Sequence, residues 1–216
     1  MTTLPLFAID ATTHIKDHVF YTEGVVEAFD WYDRGLAAMS DFANYRFWAP
    51  RGIDGKDAVS ASFWENFVDF QFEAPDIMEI TYNLNLGWPL GSKGNKVRFK
   101  IDSSQLANGV LTMRITKKIV GVEDATLTLF AEDSPTKPGT KQIRFEIAIR
   151  FGWLLEALMD PNRYSHHMGV VLGIMVNNLR EYSSNPGITI TSNQELSAPS
   201  LSPVPILTPA PTTSSP

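Results

Sequence analysis

His166, His167, Glu65 and Tyr82 are the side chains whose types and settings could move a proton. The two histidines fall near the start of the longest helix-patterned stretch. An imidazole changes charge near neutrality, so either could act as general acid or base. Adjacent helical residues point about 100° apart, so at most one of them faces inward. His167, beside Tyr164 and Met168 on the apolar stripe, is the one expected to do so; its ordinary alternative is a surface or capping histidine. Glu65 lies in Phe63-Trp64-Glu65-Asn66-Phe67, an aromatic setting. Turned inward there, its carboxyl would be desolvated and its pKa raised toward the range useful for proton transfer. Strand alternation lets only one of Glu65 and Asn66 face inward. Trp64, Val68, Phe70 and Phe72 share the parity of Asn66, which favours Asn66 as an inner hydrogen-bonding group. Tyr82, on the apolar side of its own strand, offers a hydroxyl to the same interior, or is a core aromatic with its hydroxyl satisfied. Trp48, Trp64, Trp88 and Trp153 could wall an aromatic ligand, and Arg46 and Arg51 flank Trp48. His14 and His18 share one face of an expected strand, but no third ligand stands at metal spacing. Neither metal nor any other cofactor is expected.

These groups need a scaffold, and the hydrophobic periodicity describes one. Residues 142–151 alternate apolar and polar, the signature of a strand with one dry face. Asp160-Pro161 then reads as a helix start, with Asp at the N-cap and Pro at the first helical position. From there Tyr164, Met168, Val171, Met175, Leu179 and Tyr182 recur at steps of three and four, forming one stripe of a helix about 22 residues long. Gly169 and Gly173 leave bare backbone on that helix, for a ligand or for close packing. Upstream, a first strand is expected over His14–Tyr21 and two short helices between Val25 and Phe47, divided near Ser40-Asp41. Strands follow over residues 58–72, which is aromatic-rich, over 77–86, 96–101 and 111–116, which alternate, and over 125–132. Gly87–Asn95 is expected to be a glycine-rich loop. Short turns between successive strands imply an antiparallel, meandering sheet. Its inner face would carry Phe99 and Met113, and its outer face most of the strand charges.

The 216 residues are most simply one domain, 1–192, followed by a disordered Pro/Ser/Thr-rich tail over 193–216. Hydrophobic residues make up 44% and charged residues 19%, as in a globular protein. The net charge of −6 comes with no basic stripe and argues against nucleic acid as a partner. Met168–Val176, the longest apolar run, is too short to span a membrane. Met1–Asp10 lacks the pattern of a signal peptide, and the cytoplasm is the expected compartment. Leu196–Pro216 carries no charge and little to bury. Deleting it should leave the melting temperature unchanged, and a drop of several degrees by calorimetry would show that it docks.

The element order is a strand, two short helices, an antiparallel sheet and a long C-terminal helix. Its physical solution is an α+β fold in which a curved sheet grips the helix. In that order, and in the ending FGWLLEALMDPNRYSHHMGVVLGIMVNNLREY, residues 14–182 resemble the helix-grip (START-like, SRPBCC) superfamily. That group includes START lipid-transfer domains, pollen-allergen-type hormone binders and polyketide cyclases. The resemblance matches no diagnostic motif and carries over no catalytic residue. It implies a cavity between sheet and helix, walled by residues such as Met168, Val171 and Met175. It further implies a hydrophobic small-molecule ligand as partner. Two functions are consistent with such a cavity. One is a cofactor-free cyclase or dehydratase of specialised metabolism, acting on an aromatic or polyketide-like intermediate through His167, Tyr82, Glu65 or Asn66. The other is a carrier without turnover.

Overall fold

The computed structural model describes residues 9, 11–57, 60–85, 91–119, 121–185, 187 and 189–190. The 193–216 tail and Trp88 lie outside them. The chain opens with a hairpin of β1 (Thr12–Lys16) and β2 (Val19–Glu27). Its turn is Asp17-His18, with φ of 50° and 63°. A two-residue turn with both φ positive matches the twist of the strands it joins. The single strand expected over His14–Tyr21 is therefore two. Asp and His adopt the left-handed conformation without the glycine that usually announces such a turn.

Helix α1 (Tyr32–Ser40) and the short α2 (Tyr45–Trp48) follow, separated near Asp41 as the sequence predicts. The buried Asp41 carboxylate accepts hydrogen bonds from the Tyr182 hydroxyl at 2.8 Å and from the Asn44 amide at 3.0 Å. It thereby ties the helix break to the last helix.

Six strands then run as a meander: β3 (Glu65–Glu73), β4 (Ile77–Leu84), β5 (Ser92–Asp102), β6 (Val110–Ile115), β7 (Val122–Asp133) and β8 (Lys141–Phe151). The β5 strand reaches back into the expected glycine-rich loop. Gly94, at φ 68°, takes up the irregular register opposite Tyr82 and Leu84. The sheet order is β1-β2-β8-β7-β6-β5-β4-β3, antiparallel throughout. Pairing of β2 with β8 brings the start of the chain beside its end. Charges on the outer face pair across strands, as with Arg114–Asp124 at 2.8 Å and Lys96–Glu79 at 2.6 Å.

After the short α3 (Trp153–Leu158), helix α4 spans Pro161–Ser184. Asp160 caps it by accepting the Arg163 N–H at 2.7 Å, with Pro161 at its start. One side of α4 packs on α1, α2 and the β1–β2 hairpin. Gly169 serves that packing. A Cβ there would stand 2.6 Å from the Ile9 carbonyl, and the Gly169 carbonyl accepts the Ile9 N–H at 3.1 Å. The adjoining stripe, Met168 to Leu179, faces the sheet across a hollow.

Candidate functional site

The hollow has a volume of about 190 Å³. Phe99 and Met113 line it from the sheet, Met168, Val171 and Met175 from α4, and Trp48 from the end of α2. Tyr82 and Glu65 line it as well. Glu65 stands where β3 begins, paired with Leu84 at the end of β4.

Its inward position comes from a single inserted residue. The β3–β4 register runs Phe67↔Tyr82 and then Asp69↔Thr81, leaving Val68 as a bulge with its side chain exposed. A bulge reverses the alternation. Glu65 and Phe67 face the cavity before it, and Phe70 faces the cavity after it. Asn66 is thereby turned away, and the parity argument that placed it inside is corrected. It is buried instead beneath the loop at Gly55, whose Cβ would approach the Asn66 side chain to 3.1 Å.

Trp64 also turns away from the cavity. It stacks on His167 with ring centroids 5.3 Å apart, and the Arg163 guanidinium lies 5.0 Å from its ring. Phe63 meets the same imidazole edge-on at 5.3 Å. His167 therefore does not line the cavity; this aromatic pair claims it from the side. Burial first, and the neighbouring His166 second, push its pKa down to about 4. It stays neutral at physiological pH and has no proton to give as an acid.

That placement makes His167 a source of acid lability. Its folded pKa lies below the ordinary 6.5, so the stability it contributes is present above pH 6.5 and is lost as pH falls toward 4. His167→Phe, which keeps an aromatic ring between Phe63 and Trp64, should flatten this loss. Urea denaturation at pH 7.5 and 4.5 measures it, and an equal loss in both proteins would acquit the imidazole.

Trp153 is 80% exposed and does not wall the cavity. The buried side of α3 belongs to Leu155, which lines the hollow and lies against Gly121. Two residues along a helix turn through about 200°, so Trp153 faces the opposite way. Arg46 pairs with Asp69 at 3.6 Å, and the Arg51 carbonyl accepts from Asn178 at 2.8 Å. Neither arginine reaches the cavity. His14 stacks on Tyr21, and His18 bonds Glu156 at 2.7 Å.

Few polar groups remain in the wall. The Tyr45 hydroxyl donates to the Met39 carbonyl at 2.6 Å. The buried Trp48 Nε1 has no partner among the described residues. Burial, with Glu65 as a smaller second cause, pushes Tyr82 up to about 12. Glu65 itself is raised to about 7 by desolvation. Tyr164, which sequence reasoning placed on the helix stripe and gave no chemical role, lies behind this wall but within electrostatic reach of Glu65. It is packed edge-on to Phe20 and Phe151, and burial and then Glu65 raise its pKa. Nothing in its helical spacing marked it, because the residue that it senses lies about a hundred positions away.

No protein-family model matches this sequence, and no curated protein does. Solved structures do match in fold. A START superfamily protein from Mycobacterium smegmatis superposes with a TM-score of 0.50 at 10% identity, over 74% of this chain and 94% of that one. The di-domain aromatase/cyclase StfQ from the steffimycin biosynthetic pathway gives 0.50 at 8% identity, over 76% of this chain and 50% of that one.

Proposed function

The chain has a helix-grip fold of the SRPBCC type, and from that premise we propose that it is a cofactor-free enzyme of the cyclase or dehydratase kind. It encloses a small aromatic or polyketide-like intermediate and moves a proton with Glu65. The carrying observation is a carboxyl poised at about 7 in the wall of a mostly hydrocarbon cavity. A group balanced there is half ionised at neutral pH and can both take and return a proton. In a dehydrating ring closure, the Glu65 carboxylate takes the proton from carbon next to a carbonyl. The Tyr82 phenol, protonated throughout the physiological range, donates a hydrogen bond to the oxygen where charge develops. The enolate carbon attacks a second carbonyl of the substrate to form the ring bond, and the neutral carboxyl gives its proton to the new alkoxide. Glu65 then takes the remaining proton from the same carbon and passes it to that hydroxyl, whose C–O bond breaks as water leaves and the ring double bond forms.

Volume limits the substrate. An apolar cavity of about 150 Å³ takes a benzene molecule, and drug-sized ligands occupy roughly 300 Å³ or more. At about 190 Å³ the hollow suits one ring with a short substituent, or two small rings. Large folded polyketides do not fit.

A second reading, carriage without turnover, draws on the same wall: apart from Glu65, the described residues around the hollow are uncharged and mostly hydrocarbon. Native mass spectrometry of the protein isolated from its own host tests both by identifying a co-purifying molecule. The enzyme reading expects wild type to convert that molecule or its precursor, and Glu65→Gln to bind it while turning over at least about 100-fold more slowly. Binding by both with conversion by neither makes the protein a carrier.

A further inference from the structure

We infer that the ligand is a small aromatic amine, held as an ammonium ion against Glu65 beside the rings of Phe67 and Tyr82. This rests on the reading of the hollow as a ligand site and narrows the ligand's chemical class.

The first observation is charge. Among the described residues Glu65 is the only charged one lining the cavity, and the described structure pairs it with no cation. Every Lys, Arg and His of the sequence lies within the described residues, so no basic side chain is left elsewhere to complete a pair. A buried carboxylate without a partner is costly. A ligand that brings the missing positive charge removes that cost, and a ligand acid adds a second negative charge with nothing to answer it.

The second observation is the surface around the carboxyl. Phe67, two positions along β3, and Tyr82, its cross-strand partner on β4, line the same hollow beside Glu65. Ring faces attract ammonium groups, more strongly once water is excluded. The third is the chain's net charge of −6, which favours approach by cations over anions.

The groups facing Glu65 keep its titration simple. Tyr82 on β4 and Tyr164 on α4 are the side chains within its electrostatic reach, and both phenols stay protonated across the useful range. His167 on α4 is enclosed between Phe63 and Trp64 and is neutral above pH 5. An amine that needs ionised Glu65 should therefore gain affinity steeply as pH rises from 5.5 to 7 and level off near pH 8. A neutral ligand gains nothing over the same interval.

Three probes of matched size test this on the full chain by calorimetry: 2-phenylethylamine, 2-phenylethanol and 3-phenylpropanoate. At pH 7.5 the amine should bind at least about tenfold more tightly than the alcohol, and the acid most weakly of the three. The amine's affinity should rise about tenfold between pH 5.5 and 7. Glu65→Gln, checked for folding by circular dichroism, should erase the amine's advantage and its pH dependence while still binding the alcohol. Alcohol or acid binding as tightly as the amine, or an amine preference that survives Glu65→Gln, overturns the inference and leaves the cavity reading intact. Failure of all three probes to bind removes both.

Discussion

Val171→Asp should abolish folding at room temperature. Val171 is 1% exposed, contacts the hollow on one side and clusters with Ile53, Phe63 and Val170 on the other. An aspartate there loses the burial of the valine and places a carboxyl among apolar side chains. The cost, roughly 4 kcal/mol or more, is comparable with the whole stability of a domain, about 5–15 kcal/mol. Circular dichroism and urea denaturation read the result. Asn162→Asp, on an exposed position of the same helix, serves as the control and should stay within about 0.5 kcal/mol of wild type. Met175→Asp, at a partly exposed position on the same wall, should cost less than Val171→Asp. A cooperative, near-normal transition for Val171→Asp would mean that α4 does not turn this face toward the sheet. The site built on that face would then have no wall.

Glu65→Gln should instead stabilise the protein, and only at the alkaline end. The folded carboxyl ionises at about 7, above its ordinary value of 4.5. The folded state thus binds the proton more tightly than the unfolded chain. The stability this contributes is complete below pH 4.5 and is lost as pH rises through 7. Glutamine has no proton to lose. The variant should match wild type at pH 4.5 and exceed it by about 2 kcal/mol at pH 8; the full linkage value of about 3 kcal/mol is reduced because the side chain keeps some solvent contact. In melting temperature the gain is roughly 4–8 °C. His167 works in the opposite sense, losing stability as pH falls, so the two variants separate contributions that overlap between pH 4.5 and 6.5. A pH-independent difference between wild type and Glu65→Gln would show that the carboxyl is not desolvated. The proposed proton transfer would lose its basis with it.

Much of the scaffold is legible in one dimension because its rules are local. Alternation marks β4, β6, β8 and the second half of β5, since a strand with one wet face must repeat every second residue. Asp160-Pro161 marks the start of α4, because cap chemistry involves only the neighbouring N–H groups. The break at Asp41 is readable for similar reasons. The β1–β2 turn is not, because Asp17 and His18 take a conformation that their types only permit.

The chemistry is legible only as a set of candidates. Glu65, Asn66, His167 and Trp153 are each visible as unusual residues in apolar company, and periodicity alone ranked Asn66 above Glu65. One bulged residue, Val68, reversed that ranking, and the bulge exists because β3 and β4 must stay paired on both sides of it. His167 was withdrawn from the hollow by Phe63 and Trp64, which lie a hundred residues upstream. Periodicity, charge and cap chemistry depend on neighbours in the chain, and they determined the sheet, the gripped helix and the presence of a greasy interior. Which polar atom looks into that interior, and how far its pKa moves, depends on register and on the atoms that close over it. Those are long-range contacts, and only the folded chain decided them.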